Sequence, residues 1–214
     1  IFTQVHYTEH IQIHRPVVPG DRLSINGTIA AILPHRAGTH VVLRFDAVND
    51  GAEPVFTEHI GAMMRGVQCT DAGRGGDRIP VLPRQPGGID ALWDSNIFIH
   101  PLAPFIYDGC TNIHFPIHTS VKFARQVGLP GIIHQGTSTL ALALRDIIER
   151  EAAGDSRLIK EISCRFTGMV LPGSDITVRL CGKEQHASGT DLFFTVMNVE
   201  GHRAISDGYI MLKQ

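Results

Sequence analysis

The sequence predicts an α+β fold in which antiparallel strands, arranged as two copies of one unit, wrap a single long helix. Three observations predict it. First, the chain repeats itself in order at an offset of about 150 residues. Val18-Pro19-Gly20-Asp21-Arg22-Leu23 is echoed by Leu171-Pro172-Gly173-Ser174-Asp175-Ile176, Gly38-Thr39 by Gly189-Thr190, Asp50-Gly51 by Glu200-Gly201, and Gly61-Ala62-Met63-Met64 by Gly208-Tyr209-Ile210-Met211. Second, both copies are runs of β-branched and apolar residues punctuated by turn pairs. Third, Gly136 to Glu151 holds Leu140, Leu142, Leu144, Ile147 and Ile148 in a stretch apolar on most sides, the pattern of a buried helix.

Taken in order, residues 3–14, 21–33, 40–49 and 54–67 read as the strands of the first unit. Residues 70–90, rich in Gly, Pro, Arg and Asp, read as a linker. Residues 92–150 have no counterpart in the first unit; they hold a short helix at about 121–127 and the long one from Gly136. Thr137 or Ser138 is expected to cap the long helix, with Gly154 just past its end. Residues 158–169, 174–185, 190–199 and 203–213 repeat the strand order. The expected division is therefore 1–69, the strand half of a first repeat, then linker 70–90, then 91–214 as a complete second repeat. Because the chain opens on strand-like Ile1-Phe2, the first repeat is expected to be incomplete at its N-terminus, with its own helix in the missing part.

Composition narrows the function classes. With a net charge of −2 and scattered Lys and Arg, the chain has neither a nucleic-acid footprint nor a polybasic membrane patch. Cys69, Cys110, Cys164 and Cys181 lie far apart, without zinc-ligand spacing, which fits a reduced cytoplasmic protein without disulfides. No signal peptide or bilayer-spanning run is evident, so neither membrane nor nucleic acid is an expected partner.

The chemistry-bearing stretch is Cys110-Thr111-Asn112-Ile113-His114-Phe115-Pro116-Ile117-His118, followed by Gly131-Ile132-Ile133-His134-Gln135-Gly136-Thr137. It sets His118 in a Pro-bearing loop and Gly136 where the long helix begins. An imidazole moves protons near neutral pH, and a helix start offers free N–H groups to a developing oxyanion. Asn112 is a candidate to orient water or His118, or else a turn residue; His114, His134, Gln135 and Thr137 are candidates to line the same pocket. His114, His118 and His134 lack a carboxylate or cysteine at ligand spacing, so no metal is expected there. His6, His10 and His14 share one strand face by parity and read as a polar surface, while Trp93, Phe193 and Phe194 read as core. No GxSxG elbow, Walker loop, GxGxxG or HExxH is present.

Phe115-Pro116-Ile117-His118, Phe123-Ala124 and Gly128-Leu129-Pro130-Gly131-Ile132-Ile133 resemble the MaoC-like branch of the hot-dog proteins, the (R)-specific enoyl-CoA hydratases and 3-hydroxyacyl dehydratases. The resemblance implies a double hot-dog fold, an acyl-CoA substrate, a lyase of fatty acid metabolism and no metal or redox cofactor. It makes His118 the catalytic histidine, Gly136 the oxyanion-hole glycine and Asn112 a helper in positioning water. It also implies a pseudo-dimer within one chain and leaves a homodimer of such chains open. The family loop reads Gly-Asp-x-Asn-Pro-Leu/Ile-His; here Ile113 stands at the aspartate and Phe115 at the asparagine, so weakened turnover is expected. Two alternatives stay open: a hot-dog acyl-CoA thioesterase, and a catalytically degenerate acyl-CoA-binding or assembly subunit.

Overall fold

The computed structural model describes residues 4–83 and 91–214. The strands are β1 (Gln4–Ile13), β2 (Leu23–His35), β3 (Gly38–Asn49), β4 (Pro54–Arg65), β5 (Trp93–Phe98), β6 (Ile159–Phe166), β7 (Asp175–His186), β8 (Gly189–Met197) and β9 (Arg203–Lys213). Between β5 and β6 lie helices α1 (Ala103–Thr111), α2 (Val121–Gln126) and α3 (Gly136–Glu151).

Among the described residues, nine strands join one antiparallel sheet in the order β2-β3-β4-β1-β6-β9-β8-β7-β5. The order is mirrored about the β1–β6 ladder: β2-β3-β4-β1 on one side meets β6-β9-β8-β7 on the other. Each strand of the first unit therefore has a counterpart at the same rank in the second, the spatial form of the sequence repeat. Even the turn glycines correspond. Gly38 and Gly189 open β3 and β8 with φ of 146° and 155°, and a side chain on either would run into the carbonyl oxygen of Met64 or Leu212. Only glycine satisfies both restrictions, which explains why the Gly-Thr pair recurs.

The main core lies between α3 and the second half of the sheet. Leu140, Ala143, Ile147 and Ile148 of α3 pack in one cluster with strand residues such as Leu180, Leu192, Phe194 and Ile210. The helix is not buried all round, as its composition suggests: Ala141, Arg145 and Glu149 face outward, because the sheet grips α3 from one side. Trp93 is only partly buried, its indole N–H donating to Glu151 Oε1 at 2.7 Å, whereas Phe193 and Phe194 are core.

Three details depart from the sequence reading. β5 and α1 fall where the sequence reading assigned no strand or helix, and β5 extends the sheet beyond β7. The described part of the 70–90 segment packs back on β2: Arg74 and Ile32 exchange backbone hydrogen bonds, and Ile79 covers Ala30, Ala31 and Val42. The rest of that segment, 84–90, lies outside the described residues. A register shift between His6 and Thr8 breaks the expected parity, and His6 turns to the Phe166 ring at 4.6 Å, away from His10 and His14. Among the described residues, no helix is long and apolar enough to cross a membrane.

Candidate active site

The loop after α1 is set by its terminus. Asn112 caps α1 in the left-handed conformation, φ 55°, which asparagine tolerates better than most residues, and the chain then turns away to Pro116. Pro116–His118 forms one 3₁₀ turn, and Ser120 caps α2 by accepting from the Phe123 N–H at 3.2 Å. The turn is stitched to the strand-like approach to α3. Ile133 N–H donates to the Ile117 carbonyl at 3.2 Å, and His118 Nδ1 lies 2.8 Å from the Ile133 carbonyl. A carbonyl only accepts, so Nδ1 carries the proton and Nε2 keeps its lone pair. Burial holds the His118 pKa below its ordinary 6.5, opposed by the Ile133 hydrogen bond and the charge of Asp108. At neutral pH His118 is a neutral imidazole with its basic nitrogen free.

The start of α3 lies three residues beyond that carbonyl. Gln135 is its N-cap residue, and no side chain caps the helix. Thr137 does not cap, because its hydroxyl accepts from the Tyr107 hydroxyl at 2.9 Å, which ties α1 to the first turn of α3. The opening N–H groups of α3 thus remain available to an anion. Gly136 is required by packing as well: a Cβ there would lie 2.9 Å from the Phe166 ring.

Asp108 was not singled out in the sequence. It sits on α1, 3% exposed, with Oδ1 accepting from Gln135 Nε2 at 2.5 Å and Oδ2 buried without a partner among the described residues. The same Gln135 amide donates to the Pro104 carbonyl at 2.9 Å, so α1 and the N-cap of α3 are fastened through one side chain. A signal did exist: an aspartate four residues after Pro104 in an otherwise apolar stretch is the mark of a buried helical face with one polar purpose.

His134 is the most perturbed neighbour. Its backbone N–H donates to the Val170 carbonyl at 2.8 Å, and both ring nitrogens are buried without partners among the described residues. Burial first, and the nearby His118 second, lower its pKa to about 4. A histidine depressed in the fold binds its proton more tightly when unfolded, so its contribution to stability is whole above pH 6.5 and is lost as pH falls toward 4. The loss is about 3 kcal/mol across that window. Chemical denaturation at pH 7 and pH 4.5 is expected to show wild type losing far more stability than His134→Gln; equal losses would refute it.

The structure thus brings His118, His134, Gln135, Gly136 and Thr137 to one place beside Asp108. It does not bring Asn112 or His114 there. Both are exposed, and Asn112 does the work of a helix terminus.

One antiparallel sheet, mirrored about its centre and gripping a central helix whose start faces a histidine loop, is a double hot-dog architecture. Within it, residues 105–201 match the family described as MaoC like domain. A fatty acid synthase subunit beta of Aspergillus oryzae is 38% identical over 105 residues, 49% of this chain and 5% of that protein. A peroxisomal enoyl-CoA hydratase 2 of Arabidopsis thaliana is 29% identical over 98 residues, 46% of this chain and 30% of that protein. Both matches span well under two thirds of the relative. Among solved structures, a MaoC-like dehydratase from Phytophthora capsici superposes with a TM-score of 0.86 at 21% identity, covering 100% of this chain and 70% of that one, a likeness of fold.

Proposed function

We propose that this domain is an acyl-CoA hydratase or dehydratase that interconverts trans-2-enoyl-CoA and 3-hydroxyacyl-CoA. The observation that carries the reading is the free Nε2 of His118, fixed by the Nδ1–Ile133 bond three residues from the uncapped start of α3. In hydration, Nε2 takes a proton from water as the water oxygen bonds to C3 of the enoyl group. The C2–C3 π electrons move to C2, and the thioester oxygen takes on negative charge opposite the N–H groups that open α3. The imidazolium then returns its proton to C2, so one residue serves both transfers and nothing is oxidised or reduced. Asp108 favours the transient imidazolium by its charge, while Gln135 holds Asp108 in place. Asp108 takes up part of the role that Ile113 cannot perform at the motif position.

The test follows crotonyl-CoA. Loss of the conjugated enoyl absorbance with no release of free thiol is expected. Thiol release instead would establish a thioesterase, and tight binding without either change would establish a binding subunit.

A further inference from the structure

A second cluster occupies the face of the sheet turned away from α3. Ile162 packs under α3, so its neighbours Glu161 and Ser163 point to the opposite face. Strand register extends them into two rows, Ser163–His10–His59–Arg44 and Glu161–Gln12–Thr57–Asp46. His10, Glu161, His59 and Arg44 border a groove of about 690 Å³.

His10 and His59 oppose each other directly on β1 and β4, at 8% and 6% exposure. Their ring centres are 5.6 Å apart and their planes 51° from parallel. His10 Nε2 donates to Glu161 Oε1 at 2.7 Å, which leaves the lone pair on Nδ1. Among the described residues that Nδ1 is buried without a hydrogen-bond partner, and so are both ring nitrogens of His59. Three orphaned nitrogens on two facing rings are costly unless something occupies them.

We propose that His10 and His59 together bind a late first-row divalent cation such as zinc, with Glu161 as the carboxylate behind His10. With metal–nitrogen bonds of about 2.0–2.1 Å in a tetrahedral arrangement, two imidazoles on one ion have ring centres about 5 Å apart, close to the spacing here. A histidine that ligates through one nitrogen typically gives its other N–H to a carboxylate, the arrangement His10 already has with Glu161. Imidazole pairs select zinc, copper or nickel over magnesium or calcium. Among the described residues no group of three metal-binding side chains completes a cage, so water in the groove fills the remaining positions. Arg44 is held in a two-point bond to Asp46, whose charge offsets part of the guanidinium's effect at His59. A bound ion would clamp β4 to β1 and, through Glu161, β1 to β6, on the face opposite His118.

The experiment titrates chelator-treated protein with Zn²⁺ alone, by calorimetry and by melting temperature. One ion per chain and a raised melting point are expected. His10→Gln and His59→Gln should each weaken binding at least about 10-fold, and Glu161→Gln by about 10- to 100-fold. Circular dichroism of the metal-free variants checks that they fold; if His59→Gln does not, His10→Gln and Glu161→Gln decide. No saturable binding, or binding unchanged in folded variants, overturns the proposal.

Discussion

His118→Ala is expected to lower kcat for crotonyl-CoA hydration by between about 100- and 10,000-fold, the usual worth of a positioned acid–base group. The substitution deletes the only nitrogen in the loop with both a fixed tautomer and a free lone pair. It leaves the Ile133 N–H bond to Ile117 in place, so the loop keeps one stitch and the protein is expected to fold. Wild-type kcat/KM carries a second signature. Hydration needs the neutral imidazole, and burial lowers the His118 pKa, so the rate should stay level through neutrality and decline only below pH 6.5. A His118→Ala enzyme with unaltered kcat and an intact melt would remove this residue from the chemistry.

The second large effect is expected at Asp108. Asp108→Asn keeps the shape and still accepts from Gln135, but it removes the negative charge near His118. The transient imidazolium loses that support, and kcat is expected to fall about 10- to 100-fold with KM little changed. The acid limb of the pH–rate profile should move to lower pH, because His118 becomes harder to protonate. A purely structural Asp108 would leave that limb where it is. An unmoved limb together with unchanged kcat would show that the buried carboxyl takes no part in turnover.

What the sequence made legible followed from periodicity. The strands of both units and the whole of α3 are carried by long apolar patterns and by turn glycines with steric reasons to recur. β5 and α1 were illegible for the same cause. β5 is six residues of mixed polarity at the edge of the sheet, and α1 contains Pro104 and Gly109, which read as breakers. Losing α1 hid Asp108, since a carboxyl group on a helix facing the N-cap of another does not appear in any linear spacing from His118. The same blind spot made Asn112 and His114 candidates: nearness in sequence to His118 suggested a shared site, while both lie exposed at or beyond the left-handed end of α1. His6 illustrates the local version, because one extra residue before Thr8 reverses the side on which a strand residue stands.

The ladder between β1 and β6 pairs Thr8 through Gln12 with Glu161 through Arg165, and among the described residues it is the only β-ladder fusing the two strand sets. A true homodimer of hot-dog units could exchange its members, and every change in one subunit would be imposed on both. Covalent fusion removes that symmetry constraint: each set can drift separately while the other goes on bracing it. A polar back on one set and a histidine loop on the other are the sort of specialisation that such freedom permits.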